Sequence, residues 1–318
     1  MKDITIATAQ FEHRCGDKEY NLNKIDALCA QAVKQGARIV SFHELCITGY
    51  TFLKRLEKDD LSQLAESVPD GVSTQKLIDI AAKYDIAVLA GLVEKDRGHF
   101  YNTCICVTRD GLRAKFRKLH PFISPFLSPG DKYVVFELFG CLCGILICYD
   151  NNIIENVRAT VLSGAEILFA PHVTMCTPSP MPGRGFVDPT LWKNRKRDPV
   201  SLRLEFDGPK GRRWLMRWLP ARAYDNGIYV VFSNPVGMDD DQLKNGCSML
   251  LDPFGEVLAE CRSMDDEVVT ALCTDEKLTL AGGFRYKNAR RPELYGDILA
   301  RENKSVTRPV WLNGTEKI

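Results

Sequence analysis

A single thiol stands between an apolar run and a polar turn. The apolar run is 144–147, Cys148 closes it, and the polar residues 149–152 follow at once. This pattern predicts a buried strand that delivers a cysteine to a sharp turn, where rigid structure fixes a nucleophile yet leaves it accessible. Asn152 and Glu155 form a capping pattern for the next helix, whose positive end would favour thiolate over thiol. Cys148 is therefore a candidate nucleophile, with a buried structural cysteine as the alternative.

Two charged residues take comparable positions. Residues 38–42 form a predicted buried strand, and Glu44 lies at its carboxyl end. Residues 113–117 form a second predicted strand, which Lys118 closes. Open α/β sheets place their ligands at the carboxyl ends of strands. The sequence thus puts a carboxylate, an amine and a thiol at positions suited to one site, although solvated surface positions are the usual fate of Glu and Lys.

These stretches resemble the motifs of the nitrilase, or carbon–nitrogen hydrolase, superfamily, whose catalytic set is Glu, Lys and Cys in that order. The resemblance identifies Glu44, Lys118 and Cys148 as the expected catalytic residues. It covers roughly residues 4 to 275. The matching stretches are 42–50, 117–120, 144–150, 164–166, 220–226 and 233–234.

The resemblance implies an α/β fold, a four-layer α-β-β-α sandwich with two sheets face to face. It also implies pairing of subunits, so a homodimer or higher homo-oligomer is expected. We expect one carbon–nitrogen hydrolase domain at 1–275 and a C-terminal tail at 276–318, placed at a subunit interface. Apolar patterns predict helices near 20–35, 72–84, 152–163 and 214–226. They predict strands near 4–9, 37–43, 86–93, 101–108, 113–117, 133–139, 142–148, 166–170, 228–234, 247–251, 256–261 and 267–273.

The chemistry that the resemblance implies is hydrolysis of a non-peptide carbon–nitrogen bond through a thioester on Cys148. Glu44 would act as the general base, and Lys118 with the backbone N–H of Tyr149 would stabilise the oxyanion. No metal or organic cofactor is required. Asn151 and His172 join Tyr149 as predicted substrate-binding residues, a turn-forming role for Asn151 and a core position for His172 being the alternatives.

Residues around the cysteine favour a particular branch of the family. Members acting on nitriles usually follow the cysteine with Trp-Glu, whereas this chain has Tyr149-Asp150, as amide-hydrolysing members more often do. N-carbamoyl hydrolases often place an arginine where Asn151 and Asn152 stand. A small amide is therefore the favoured substrate, hydrolysed to a carboxylic acid plus ammonia or an amine. N-carbamoyl amide hydrolase, nitrilase, acyl transfer and a catalytically silent binding protein are the alternatives.

Two features set the chain apart from the family pattern. Many members carry a second active-site glutamate after the lysine, but 119–130 contains no acid, and Ser124 or Pro125 occupies its place. Either another group substitutes for it, such as His120 or an acid of 198–207, or the substrate differs. The second feature is the turn-rich segment 172–213. The basic stretch 193–217 overlaps its end and contains nine Lys or Arg against three Asp or Glu. Such a loop could steer an anionic substrate or form a solvated or intersubunit surface.

Composition excludes several other classes. The 318 residues are 45% hydrophobic and 26% charged, with a formal net charge of +1, which argues against nucleic-acid and membrane partners. The sequence enters a strand directly after Asp3, without a predicted signal peptide or an apolar stretch of about 20 residues. Its 12 cysteines are scattered, so a reducing cytoplasm is expected. The spaced pairs Cys104/Cys106 and Cys141/Cys143 are predicted to pack in the core rather than to bind zinc.

Overall fold

A computed structural model describes residues 1–179 and 183–301. Three residues of the predicted loop (180–182) and the end of the predicted tail (302–318) lie outside the described residues. The strands are β1 (Ile4–Gln10), β2 (Ile39–Ser41), β3 (Ala87–Asp96), β4 (His99–Thr108), β5 (Gly111–Arg117), β6 (Val135–Leu138), β7 (Cys141–Ile145), β8 (Ile167–Pro171), β9 (Tyr229–Ser233), β10 (Val236–Asp239), β11 (Gln242–Asn245), β12 (Met249–Leu251), β13 (Val257–Glu260) and β14 (Glu267–Cys273).

Helices lie between and after these strands. The α-helices are α1 (Lys18–Lys34), α2 (Lys58–Leu64), α3 (Val72–Tyr84), α4 (Ile154–Leu162), α5 (Pro189–Lys193), α6 (Pro199–Asp207), α7 (Arg212–Leu215), α8 (Leu219–Tyr224), α9 (Asp275–Leu280), α10 (Gly282–Asn288) and α11 (Pro292–Leu299). Two 3₁₀ helices span Thr51–Arg55 and Cys148–Asn152. In the described parts of the chain, no helix is long and apolar enough to cross a membrane.

Two six-stranded sheets form the centre of the molecule. Their strand orders are β14-β1-β2-β3-β4-β5 and β13-β12-β9-β8-β7-β6. The central pairs of each sheet are parallel, and the outer pairs are antiparallel. Strands β8 and β9 are fully buried, as their apolar sequences require of parallel strands covered on both faces.

Helices α1 and α3 cover the outer face of the first sheet. Their apolar side chains recur at helical spacing and form one cluster with the strands beneath them. Because of this spacing, both helices could be predicted from the sequence. The helical members of this cluster include Leu22, Ile25, Leu28, Leu77 and Ala81.

Helices α4 and α8 cover the second sheet in the same way, and they contribute Val157, Val161, Leu219 and Ala223 to its apolar cluster. The two sheets also contact each other directly, since the Thr8 hydroxyl donates to the Phe232 carbonyl at 2.8 Å. Helices therefore lie outside and two sheets lie face to face inside. The predicted α-β-β-α sandwich is confirmed.

Several elements differ from the sequence prediction. The helix predicted at 214–226 is two helices, α7 and α8, because Pro220 lies in the first turn of α8, where a residue without an N–H is tolerated. The segment predicted as a long loop contains α5 and α6, and the predicted tail contains α9 to α11. The hairpin β10–β11 is also absent from the prediction. Short elements of this kind depend on tertiary contacts rather than on periodicity.

The paired cysteines lie in the core, as predicted. Cys104 and Cys106 on β4, and Cys141 and Cys143 on β7, belong to the apolar cluster between the two sheets. All twelve cysteines are free thiols. The role of these four is packing.

Candidate active site

Glu44, Lys118 and Cys148 meet at one edge of the two sheets. Glu44 follows β2, Lys118 follows β5, and Cys148 follows β7. Glu44 Oε1 accepts a hydrogen bond from Lys118 Nζ at 2.6 Å. The Val173 backbone joins the pair to the thiol: its N–H donates to Glu44 Oε2 at 3.2 Å, and its carbonyl lies 3.9 Å from Cys148 Sγ. All three residues are buried, with 1%, 1% and 6% exposure respectively.

The backbone at Glu44 and Leu45 packs closely against β3, and Asn102 on the next strand binds the Glu44 carboxylate. A Cβ on Gly91 would lie 2.3 Å from the backbone nitrogen of Leu45, so only glycine fits at that point of β3. Leu45 itself has a left-handed φ of 48°. Asn102 on β4 donates to Glu44 Oε1 at 2.6 Å. Asn102 was not predicted from the sequence, where its only signal is an amide side chain within a predicted strand.

Lys118 is an ammonium enclosed by anions and aromatic rings. Its Nζ lies 4.9 Å from the centre of the Phe122 ring and 5.4 Å from that of Tyr50. Burial by itself lowers the pKa of Lys118, but the charges of Glu44, Cys148 and Asp150 raise that pKa above its ordinary value. The side chain therefore carries a positive charge at neutral pH.

Cys148 begins a 3₁₀ helix and adopts a left-handed φ of 50°. The capping pattern predicted from Asn152 and Glu155 is wrong, because Asn152 ends the 3₁₀ helix and Ile153 precedes the first residue of α4. Burial raises the pKa of the Cys148 thiol to about 12, the charge of Glu44 adds to the rise, and Lys118 opposes it. The predicted preference for thiolate is therefore wrong, and the thiol keeps its proton at neutral pH.

This raised pKa predicts the pH dependence of alkylation. Below a pKa of about 12 the thiolate fraction of Cys148 grows about tenfold per pH unit, so its reaction with iodoacetamide should accelerate without a plateau from about pH 6 to pH 10. Site-resolved mass spectrometry measures the rate. A free cysteine in the same buffers is the control, since its rate levels off above a pKa of about 8.5. A plateau for Cys148 below pH 8 would contradict the assignment.

Asp150 connects the loop that follows Lys118 to the turn that contains Cys148. Its buried carboxylate accepts hydrogen bonds from the backbone N–H groups of Leu119 at 3.1 Å and His120 at 3.0 Å. It also contacts Nδ1 of His120 at 2.9 Å. This role of Asp150 was not predicted from the sequence. The carboxylate therefore fixes the loop after Lys118 relative to the turn that contains Cys148.

Comparison with known proteins places this site in a family. The family model described as carbon–nitrogen hydrolase matches residues 5–281. The chain belongs to the carbon–nitrogen hydrolase family. The predicted family and enzyme class are thereby confirmed.

Curated relatives and solved structures resemble this carbon–nitrogen hydrolase along most of its length. An (R)-stereoselective amidase of Pseudomonas sp is 31% identical over 92% of this chain and 94% of its own. A nitrilase of Pyrococcus abyssi is 28% identical over 84% and 88%. A structure of a variant of the amidase from Nesterenkonia sp. AN1 with butyramide has a TM-score of 0.69 at 22% identity, covering 92% of this chain and 96% of that one. At that identity the structural likeness shows the fold.

The substitutes predicted for the second glutamate are engaged elsewhere in the hydrolase. Nδ1 of His120 is occupied by Asp150. The acids of 198–207 are bound outside the catalytic set: Asp198 accepts from the Ser201 backbone, Glu205 pairs with Lys210, and Asp207 pairs with Arg262. A substitute among these groups therefore stays a prediction. Beyond the catalytic residues themselves, Asp150 is the carboxylate whose charge raises the pKa of Lys118.

The three predicted substrate-binding residues have different surroundings. The Tyr149 ring packs edge-on against Phe122, with centroids 5.6 Å apart. Asn151 donates to the Leu146 carbonyl at 2.7 Å and contacts Nε2 of His172 at 3.2 Å. Burial, and then the charge of Lys118, lowers the pKa of His172, so its imidazole is neutral. Asn151 and His172 thus support the turn that contains Cys148. Substrate contacts from Tyr149, Asn151 and His172 stay a prediction.

Arg222 supports the same turn from outside. Its Nε donates to the Asn151 carbonyl at 2.8 Å, and a terminal nitrogen donates to the Asn152 carbonyl at 3.0 Å. Arg222 falls within one of the stretches that match the family, but the sequence assigned it no role. These bonds satisfy carbonyl groups of the 3₁₀ helix that begins at Cys148.

In the described part of the chain, one group of side chains has metal-ligand atoms close enough to share a cation. His13, Cys15 and Asp239 place their ligand atoms within 4.8 Å of one another. The Asp239 carboxylate already accepts from His13 Nε2 at 2.9 Å and from the Thr51 backbone at 3.1 Å. These hydrogen bonds satisfy the group without a metal.

Proposed function

We propose that this hydrolase cleaves a small-molecule amide through a thioester on Cys148, releasing a carboxylic acid and ammonia or an amine. The observation that carries the proposal is the buried Glu44–Lys118 pair beside a buried thiol. A buried ion pair is costly to desolvate, so its presence next to a nucleophile favours a catalytic role. The amidases among the relatives support the amide as substrate.

The acylation step uses all three side chains. Cys148 Sγ attacks the amide carbonyl carbon while its proton passes to a Glu44 carboxylate oxygen. The Lys118 ammonium and the Tyr149 backbone N–H stabilise the negative charge on the carbonyl oxygen. When the C–N bond breaks, Glu44 returns the proton to the leaving nitrogen. The products of this half-reaction are the thioester and ammonia or an amine.

Deacylation repeats the sequence with water. Glu44 removes a proton from a water molecule, whose oxygen attacks the thioester carbonyl. Collapse of the tetrahedral intermediate breaks the C–S bond, and the proton held by Glu44 restores the Cys148 thiol. A thiol pKa of about 12 suits this scheme, because the proton leaves as the new bond forms and no thiolate must persist beside Glu44.

The test is direct detection of the thioester. Acid quenching during turnover of a simple amide should give an adduct on Cys148 with the mass of the acyl group, seen by intact and peptide mass spectrometry. Hydroxylamine should remove the adduct as the hydroxamate. Cys148→Ala should give neither product. Turnover without a Cys148 adduct, or no turnover and no adduct across an amide panel, would overturn the proposal, the latter in favour of a silent binding protein.

We also infer that the chain forms a homodimer or a larger homo-oligomer. On α11, Leu294, Ile298 and Leu299 are about 60% exposed. Adjacent exposed apolar side chains are a common feature of interaction surfaces. They support the expected placement of the 276–318 tail at a subunit interface.

A further inference from the structure

Three buried polar side chains form a hydrogen-bonded network beside Glu44. Nδ1 of His13 lies 3.0 Å from Nε2 of His43, and Nε2 of His13 lies 2.9 Å from the Asp239 carboxylate. None of the three residues is more than 3% exposed. His43 immediately precedes Glu44, whereas Asp239 ends β10. His13, His43 and Asp239, here called the histidine network, therefore connect the hairpin β10–β11 to the proposed general base.

Asp239 determines which ring nitrogens carry protons. Burial by itself raises the pKa of Asp239, but its neighbours, chiefly His13, lower that pKa below its ordinary value, so the side chain is a carboxylate. A carboxylate only accepts hydrogen bonds, and Nε2 of His13 must therefore carry a proton. Nδ1 of a neutral His13 is then an acceptor, and Nε2 of His43 donates to it.

The second nitrogen of His43 agrees with this assignment. Burial lowers the pKa of His43 well below its ordinary value, so its ring is neutral and carries one proton. With that proton on Nε2, Nδ1 of His43 is a bare acceptor, and it has no hydrogen-bond partner among the described residues. The opposite assignment would bury an N–H group without an acceptor, which folded proteins avoid more strictly.

Asp239 also anchors the 3₁₀ helix that follows the Glu44 turn. The Thr51 N–H donates to Asp239 Oδ1 at 3.1 Å, and the Thr51 hydroxyl donates to Oδ2. The preceding residue, Tyr50, places its ring 5.4 Å from Nζ of Lys118. One buried carboxylate thus connects to Glu44 through the two histidines and to Lys118 through Tyr50.

The backbone of the Glu44 turn needs this support. Leu45 has a left-handed φ of 48°, which is unfavourable for leucine and persists only where the surrounding structure fixes it. The backbone of β3 contacts Leu45 closely, and the ring centroids of Phe11 and His13 lie 4.7 Å and 5.0 Å from that of His43. Loss of the hydrogen bond to His43 removes one of these constraints, so that the segment 43–45 can relax and displace the Glu44 carboxylate.

We propose that the histidine network, with the proton of each ring on Nε2, positions Glu44 for general-base catalysis. His13, His43 and Asp239 are positioning residues, since they act through the backbone of 43–45. The inference rests on the proposed amidase function, in which Glu44 accepts the thiol proton and later activates water. Proton transfer depends steeply on distance and angle, so a displaced carboxylate lowers kcat more than it changes substrate binding.

The kinetic test uses His13→Gln in the full-length protein. The glutamine amide can still donate to Asp239, but it has no acceptor at the position of Nδ1, so the bond to His43 is lost. For an amide that forms the Cys148 adduct, we expect kcat to fall about 10- to 100-fold, as for a catalytic group misplaced by about 1 Å, while KM changes less than about threefold. Urea denaturation gives the folded fraction, and kcat is calculated per folded protein.

Asp239→Asn is a second variant that acts on the other end of the network. Its single amide oxygen cannot replace both carboxylate oxygens for His13 and Thr51, so kcat should fall in the same way. If one of the two variants does not fold, the other decides the kinetic outcome.

Selective ¹⁵N labelling of histidine locates the protons directly. The chain has five histidines, so single substitutions can assign the ring-nitrogen resonances. Protonated and bare ring nitrogens resonate far apart. We expect a proton on Nε2 of both His13 and His43 in the unmodified protein at neutral pH, and exchange between the two forms of His43 in His13→Gln. A contribution to packing alone would leave the proton of His43 in place.

Controls separate the possible outcomes. His99→Gln makes the same substitution at an exposed position and should leave kcat, KM and the His43 resonances unchanged. Unchanged kcat per folded His13→Gln protein, or a proton on Nδ1 of His43 in the unmodified protein, would overturn this inference and leave the amidase function intact. Absence of both turnover and Cys148 adduct in the unmodified protein would overturn the two together.

Discussion

Replacing Lys118 with methionine should lower the free energy of unfolding by about 3–5 kcal/mol, because it leaves the Glu44 carboxylate buried without its ammonium partner. Both side chains have no exposed surface, so water cannot take the place of the lost charge. The remaining donors to Glu44, from Asn102 and Val173, are neutral. Urea denaturation of the two proteins measures the difference.

A double variant distinguishes this mechanism from a packing defect. Glu44→Gln/Lys118→Met removes both charges and should recover most of the lost stability while remaining inactive. Lys115→Met is the matched control: Lys115 pairs with buried Glu94, but Arg117 also pairs with Glu94 and would keep it compensated. We expect that control to lose no more than about 1 kcal/mol. A double variant as unstable as Lys118→Met would argue that the lysine acts through packing alone.

The three strand ends that form the candidate site were predictable because their signals are local. Glu44 and Cys148 follow short, largely apolar stretches, Lys118 follows the alternating stretch 113–117, and the motifs around all three are contiguous in sequence. The sandwich followed from the resemblance that these motifs carry. The residues that support the site were harder to predict, since Asn102 acts on a glutamate 58 positions away and Arg222 on a carbonyl 71 positions away. Such pairs are fixed by the packing of the two sheets.

The state of the thiol was mispredicted for a related reason. A local pattern suggested a helix terminus near Cys148, and a helix terminus favours the thiolate. The folded chain buries the thiol beside Glu44, and these effects raise its pKa to about 12. Burial depends on neighbours distant in sequence, such as Val173 and Glu44, so no window around Cys148 could reveal it.

The role of Asp150 was also missed because it depends on residues distant in the sequence. In the sequence it is one of four polar residues after the cysteine. In the structure it receives hydrogen bonds from the backbone of the loop that follows Lys118, from residues 30 and 31 positions away. Its charge also raises the pKa of Lys118. A carboxylate fixed in this way supports the lysine in a chain that lacks an acid at 119–130.

Glu44→Gln should lower kcat for a simple amide by about 10²- to 10⁴-fold, the usual contribution of a positioned general base. Glutamine preserves the size of the side chain and an oxygen for Lys118 and Asn102, but it cannot accept the thiol proton. One of its groups must also meet the Val173 N–H, which in the unmodified protein donates to Oε2. Stopped-flow and steady-state assays measure the loss, with Glu276→Gln on the exposed side of α9 as the control.

The same variant should separate the two halves of the reaction. An activated ester needs no protonation of its leaving group, and loss of the Glu44 charge removes one cause of the raised pKa of the Cys148 thiol. At about pH 9–10 the thiol proton of Glu44→Gln can therefore pass to hydroxide, and the thiolate then takes the acyl group from the ester. Deacylation still needs a base for water, and the acyl group should therefore accumulate on Cys148 in the variant, where intact mass spectrometry detects it. Rapid release of the acyl group from the variant would show that another group activates the water. Because Asp150 is saturated by backbone donors and His120, Glu44 is the carboxylate placed to do so.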